Sequence, residues 1–357
     1  MEFKIEDIEK KNFKDLKLIK INNNFIFLSI YNKLKISKSL IDNHYENWDN
    51  VKKYINPYEL INSNRNKYLT VSRSFFKLWE MIIQFNLINN ENSIFIANIA
   101  EAPGGFIECI LKYRGNKDII FSNSLYSKDN NIPSWNKIKK LILTNNYKNV
   151  NLIYTNLYNH LNVSNYIKLF QDNKAEFITA DGGFDYSIDF NKQEEMSYKI
   201  IFSEIFITLS IQKIGGNFVL KIFDMFTIFT LKCIYLLYNL YDEVYLYKPL
   251  TSRIANSEKY LICKNYKGID NDLLKNIKNI YLNLDENNYK IDIENLKLPN
   301  SFLVKINDFM NLFYNNQIDI INNTIEDIKK NKKINTKELY IEQEKNANEW
   351  YRKYKFI

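Results

Sequence analysis

Lys221 stands inside Phe218-Val219-Leu220-Lys221-Ile222-Phe223, with apolar residues on both sides of it. An ammonium enclosed by such a strand needs charged partners or a lowered pKa, which makes this lysine a candidate base. Asp181 closes a second apolar run, Phe177-Ile178-Thr179-Ala180, just ahead of Gly182-Gly183. An acid there either caps a turn or sits at the carboxyl end of a strand, where α/β sheets hold reacting groups. Glu101-Ala102-Pro103-Gly104-Gly105 places two glycines where a strand turns into a helix, letting the backbone approach a ligand closely, with Pro103 fixing the entry. The segment 248–260, KPLTSRIANSEKY, combines Ser252, Arg253 and Asn256 as donors for phosphate or ribose with the acid Glu258. Arg73 and Lys77, four positions apart, share one face of a helix.

These residues need a scaffold, and the hydrophobic pattern describes one. Short β-branched or aromatic runs alternate with longer amphipathic segments, the pattern of an α/β sheet with crossover helices. Seven strands are predicted, over 94–100, 118–122, 151–155, 175–181, 217–223, 243–247 and 259–264. Helices are predicted over 69–87, 105–113, 134–144, 163–172, 192–213 and 226–240. The link 248–257 is too short for a helical crossover, so the last two strands must form an antiparallel hairpin. A mostly parallel, Rossmann-like seven-stranded sheet with an antiparallel last strand is the plan of the common methyltransferase domain. The chain then divides into an N-terminal extension, 1–68, a core, 69–265, and a helical C-terminal extension, 266–357.

The turn at Glu101 is not a GxGxxG loop. An acid one step before it would repel a pyrophosphate but accept from an ammonium or a ribose, which favours a cationic, phosphate-free cofactor over NAD or ATP. S-adenosyl-L-methionine fits that description.

Composition narrows the classes further. With 357 residues, 46% hydrophobic and 25% charged, the chain is globular and large enough for two domains or one enlarged one. The formal charge of +8 permits a polyanionic partner without identifying one. Cys109, Cys233 and Cys263 lack paired spacing, which predicts free thiols in a reducing compartment. His44 and His160 have no metal-ligand neighbours, so no metal site and no hydrolytic triad is expected. The charged N-terminus is unlike a signal peptide, and the apolar stretch 225–241 is too short and too rich in Tyr and Thr for a membrane span. A cytoplasmic protein is expected. The excess of Asn, Ile and Lys fits an AT-rich genome, such as that of a large cytoplasmic DNA virus, in which case host cytoplasm or virion is the expected location.

Taken together, EAPGGF, TADGGFD, GGNFVLKIFDMFT and KPLTSRIANSEKYLICK resemble, in their order, the FtsJ-like ribose 2′-O-methyltransferases, and among these the cap-specific mRNA enzymes that make cap 1. The likeness runs from about Arg73 to Lys264. It implies a class I S-adenosylmethionine-dependent fold and a Lys-Asp-Lys-Glu catalytic set at Lys77, Asp181, Lys221 and Glu258. In that set Lys221 is the general base, its pKa depressed by Lys77 and by its apolar strand, although the two carboxylates oppose the depression. Lys77 holds the ribose, Asp181 orients Lys221 near the methionine end of the cofactor, and Glu258 positions Lys77 or the 2′-hydroxyl. Glu101, Ala102, Pro103, Gly104, Gly105 and Asp181 are the implied cofactor contacts. Asn156 takes the adenosine position, where the family often has an acid. Arg73, Ser252, Arg253 and Asn256 are implied RNA contacts, with Asn191 and the stretch 185–191 beside the cap base. The implied partner is the capped 5′ end of mRNA, together with other capping or transcription proteins.

Two other readings stay open at this level. An FtsJ-like enzyme of ribosomal or transfer RNA would carry the same motifs. A non-catalytic RNA- or cap-binding subunit would keep the fold, although the full set of four residues argues against it.

Overall fold

The computed structural model describes residues 1–62, 68–89, 91–129, 132–183, 190–285, 287–332 and 335–356. The strands are β1 (Glu2–Ile5), β2 (Lys17–Lys20), β3 (Phe95–Ile99), β4 (Ile119–Ser124), β5 (Val150–Tyr154), β6 (Ala175–Ala180), β7 (Gln212–Ile222), β8 (Tyr241–Tyr247), β9 (Lys259–Tyr266) and β10 (Ile291–Glu294). The helices are α1 (Leu28–Asp42), α2 (Tyr45–Val51), α3 (Ser74–Phe85), α4 (Gly105–Arg114), α5 (Asn136–Thr144), α6 (His160–Lys168), α7 (Gln193–Met196), α8 (Tyr198–Ile211), α9 (Ile228–Leu240), α10 (Asn271–Asn283), α11 (Asn300–Lys329) and α12 (Thr336–Lys353).

Eight strands form one sheet in the order β1-β8-β9-β7-β6-β3-β4-β5. The strands β7, β6, β3, β4 and β5 are mutually parallel, and the chain order reverses between β3 and β6, which opens a crevice at their carboxyl ends. β8 and β9 form the antiparallel hairpin read from the sequence, but β9 inserts between β7 and β8 rather than lying at the edge. The sheet also has an eighth strand that the pattern did not reveal. β1 pairs antiparallel with β8, Glu2 opposite Tyr247, and thereby covers the edge. Four residues carry too little periodicity to declare a strand alone.

Strand pleating splits the core into two layers. Ala97, Ile178, Phe218, Leu220 and Leu261 face α6, α8, α9, α10 and α11. Ile96, Phe177, Val219, Tyr260 and Ile262 face α3, α4 and α12. Helices α8 and α9 are mostly apolar and buried around nearly their whole circumference. α3 is amphipathic, burying Phe75, Phe76, Trp79 and Ile82 at helical spacing. Each such side chain contributes about 1.5 to 3 kcal/mol by leaving water.

The two extensions are woven into this core and into one another. β10 pairs with β2, and α11 packs against α1 and β1. Cys109, Cys233 and Cys263 are free and buried. Among the described residues no helix is long and apolar enough to cross a membrane.

Candidate active site

The alternation of strand residues decides which side chains meet. Phe177 and Val219 face α3, so Asp181 and Lys221, an even number of positions further along β6 and β7, emerge on that same face. Tyr260, opposite Lys221 in register on β9, joins them. Lys77 reaches in from α3, and Glu258 stands one residue before β9.

The result is two lysine–carboxylate couples. Lys221 Nζ lies 3.2 Å from Asp181 Oδ1 and donates to the Asp181 carbonyl at 2.7 Å. The Tyr260 hydroxyl donates to Asp181 Oδ1 at 3.0 Å. Lys77 Nζ lies 2.7 Å from Glu258 Oε1, which also accepts from the Ser252 hydroxyl at 2.8 Å. The four sequence-derived residues thus come together. The expected depression of Lys221 does not occur. Burial pulls its pKa down, but Asp181, Glu258 and Glu204 outweigh that, and it lies above the ordinary lysine value. Burial pushes the Glu258 carboxyl up, yet Lys77, Lys221 and Lys248 hold it well below the usual carboxylate range.

Asp181, Lys221 and Glu258 open onto a cavity of about 1510 Å³. One arm, at the carboxyl ends of β3, β4 and β5, is lined by Ala100, Ala102, Ser124, Thr155, Asn156 and Leu157. This set suits the uncharged adenosine and cationic sulfonium of S-adenosylmethionine. These residues offer hydroxyl and amide groups, and Asp181 lines the same cavity. Asn156 Oδ1 accepts from Tyr158 N–H at 2.9 Å, leaving its second lone pair for a ligand.

The glycine turn needs correction. Glu101 is buried, and its Oε1 turns back to accept from Phe106 N–H at 2.7 Å and Ile107 N–H at 3.3 Å in the first turn of α4. Burial and Asp181 raise its pKa well above the carboxylate range. Gly104, at φ +110°, admits Ile138 of α5, since a Cβ there would sit 2.6 Å from Ile138 Cβ. Gly105 admits the start of α3, since a Cβ would lie 3.1 Å from Phe75 N. These glycines serve helix packing, and of the turn only Ala100 and Ala102 line the cavity, not Pro103.

The implied RNA contacts also divide. Arg253, Asn256 and Asn191 line the cavity. Ser252 is buried and holds Glu258, so it is a support rather than an RNA contact. Arg73 lies off the cavity wall and pairs with Glu59 at 3.0 Å, and Arg253 reaches the same carboxylate at 3.2 Å. Residues 185–189 of the stretch assigned to the cap base lie outside the described residues.

Sequence reading missed several members. The second arm of the cavity is walled by the N-terminal extension, through Lys38, Tyr45, Trp48, Lys52 and Asn56. Lys38 bridges Asp224 Oδ2 at 2.8 Å and the Ser257 hydroxyl at 2.9 Å, next to Glu258. Glu80 and Glu204 are fully buried acids among the apolar residues of α3 and α8. Among the described residues no cluster of His, Cys, Asp or Glu could hold a metal.

The strand order and the inserted antiparallel β9 define the α/β class I methyltransferase fold with a mixed sheet. The chain belongs to the FtsJ-like methyltransferase family, which its residues 70–266 match, and membership implies S-adenosylmethionine as cofactor. Mouse cap-specific mRNA (nucleoside-2′-O-)-methyltransferase 1 is 41% identical over 127 residues, 35% of this chain and 15% of that protein. Drosophila melanogaster cap-specific mRNA (nucleoside-2′-O-)-methyltransferase 2 is 26% identical over 327 residues, 84% of this chain and 45% of that protein. The chain spans less than half the length of these curated relatives. Among solved structures, a ribosomal RNA methyltransferase of Plasmodium falciparum superposes with a TM-score of 0.43 at 21% identity, over 56% of this chain and 99% of that one.

Proposed function

We propose that this chain transfers a methyl group from S-adenosylmethionine to the ribose 2′-oxygen of the first transcribed nucleotide of capped mRNA, with Lys221 as general base. The observation that carries this reading is the convergence of Lys221–Asp181 and Lys77–Glu258 beside a cavity that Ala102, Ser124, Thr155 and Asn156 also line. The likeness to two cap-specific enzymes supports the substrate.

When bound, S-adenosylmethionine supplies an electrophilic methyl group on a positively charged sulfur. A ribose hydroxyl is a weak nucleophile, so the protein must align it and remove its proton. Lys221 begins as an ammonium held by Asp181 and must lose its own proton first. Asp181 is the residue that would face the sulfonium, and a positive charge held there would offset the field that keeps Lys221 protonated and lower its pKa. Each unit of lowering corresponds to about 1.4 kcal/mol. Base activation is thereby coupled to occupancy.

Lys77, fixed by Glu258, holds the ribose. Ala102 borders the methionine end and Asn156 the adenine. Arg253 and Asn256 hold phosphates, while Arg73 contributes once released from Glu59. Asn191 lies towards the cap base. The N-terminal wall offers Tyr45 and Lys52 to the RNA. Three free thiols suit a reducing compartment such as the cytoplasm. Other capping or transcription proteins would be natural partners.

The test is radiolabelled methyl transfer to short capped and uncapped RNA, followed by nuclease digestion to locate the label. Label on the first ribose of capped RNA alone is expected. Equal turnover of both RNAs would overturn the cap assignment in favour of a general FtsJ-like RNA enzyme, and label on a base would overturn the ribose.

A further inference from the structure

Glu204 lies in the middle of α8, where every other inward residue is uncharged, and is 0% exposed. Its Oε1 accepts from Gly182 N–H at 2.9 Å. Its Oε2, also buried, has no hydrogen-bond partner among the described residues. Gly182 and Gly183 carry the chain out of β6 between this acid and Lys221. A Cβ on Gly182 would run into Glu204 Oε1, and one on Gly183 would lie 3.3 Å from Lys221 Nζ. Because side chains alternate across β6, acid and amine press on the same two-residue turn from opposite faces of the sheet.

We propose that Glu204 is a positioning residue for Lys221, anchoring the Gly182-Gly183 turn beneath the amine and, through its own proton, setting the pH at which that amine becomes a free base. The inference deepens the proposed function and rests on its assignment of Lys221.

Burial pushes the Glu204 carboxyl up to about 8, with Lys221 and the Gly182 N–H pulling it down and Asp181 pushing it up. The charged groups facing it are Asp181 from β6 and Lys221 from β7. The helices α6, α7, α9 and α10 also pack near α8, and among the described residues they bring no charge to bear on it. At neutral pH Glu204 is therefore an uncharged acid that keeps the turn in place without adding to the field on Lys221. As pH rises past its midpoint it becomes an anion and favours the ammonium form. Glutamine keeps the acceptor for Gly182 N–H and never carries the charge.

The experiment is an NMR titration of the lysine Cε–Nζ groups in the full chain without cofactor or RNA. Wild type is compared with Glu204→Gln, and the Lys221 signal is assigned by its loss in Lys221→Arg. The Glu204→Gln change is expected to lower the Lys221 midpoint by about 0.5 to 1 pH unit. The alkaline limb of the methyl-transfer profile should move by the same amount. Glu204→Ala, lacking the acceptor, should lower kcat across the whole pH range while KM for RNA stays near wild type, and glutamine should restore that loss. Coincident Lys221 midpoints in wild type and Glu204→Gln would overturn the inference. If the midpoints separate but wild type transfers no methyl group, the inference on Glu204 stands and the base role of Lys221 falls.

Discussion

The indole N–H of Trp350 donates at 3.0 Å to Oε2 of Glu80, across 270 positions of sequence. The same buried carboxylate accepts from the Tyr247 hydroxyl at 2.5 Å and from Leu250 N–H at 2.7 Å. One side chain thus binds α3, the 248–257 loop and the C-terminal helix α12. Lys77 sits one turn before Glu80, and Ser252 and Glu258 follow on the loop, so the C-terminal extension braces the Lys77–Glu258 couple from behind.

Removing that brace should lower stability first and activity second. Trp350→Phe, which leaves a buried carboxylate oxygen short of a donor, is expected to cost about 1 to 3 kcal/mol. Trp350→Ala, which also opens a cavity, is expected to cost about 3 to 5 kcal/mol. Urea unfolding measures both. Wild-type midpoints would show that α12 is not a structural part of the core.

Replacing the base should remove the chemistry. Lys221→Met is expected to reduce kcat by about 10²- to 10⁴-fold, and its unfolding midpoint should fall as well, because Asp181 is left without the ammonium it pairs with. Lys221→Arg should fare no better, because a guanidinium does not give up its proton near neutral pH. Native turnover in either variant would remove Lys221 from the mechanism.

Activity should rise with pH. The Lys221 pKa lies above the ordinary lysine value in the free protein, so kcat/KM, which reports the free enzyme, should increase through neutrality into the alkaline range. Asp181→Asn deletes the largest favourable charge on that ammonium and should shift the limb to lower pH while reducing the maximal rate. A limb that stays in place would show that Asp181 does not control the lysine.

Acid should weaken the fold through Glu258. Its folded pKa is depressed, so its contribution is fully present above the unfolded value, about 4.3, and fades as pH falls towards the folded value. Glu258→Gln should lower stability by about 1 to 3 kcal/mol at pH 7. That gap should narrow below about pH 4. Paired urea melts at the two pH values decide it.

Glu59 restrains two arginines, and releasing them should tighten RNA binding. Glu59→Gln is expected to raise affinity for short single-stranded RNA at low salt, with the gain vanishing as salt increases. Arg253→Ala should reduce the slope of log affinity against log salt by about 0.7. An unchanged slope would place Arg253 away from the phosphates.

Much of the site could be read along the chain because its cause is local. Lys221 stands out as a charge in an apolar strand and Asp181 marks a strand end, whereas their sharing one face depends on the register between β6 and β7. The hairpin follows from a link too short for a crossover. Glu204 and Glu80 each stand among apolar neighbours in their helices, but which groups they touch depends on helices and loops up to 270 positions away.

The amino-acid sequence by itself determined the fold class, because hydrophobic period is a property of neighbours in the chain, and its motifs carried the resemblance that implied the family and the four charged residues that converge. Only the tertiary structure decided that β1 closes the sheet edge, that the N-terminal helices wall the second arm of the cavity, and that Gly104 and Gly105 serve helix packing. It also decided the sign of the Lys221 shift. Burial and the carboxylates pull that amine in opposite directions, and the outcome depends on distances between β6, β7 and the 248–257 loop, which exist only once the chain has folded.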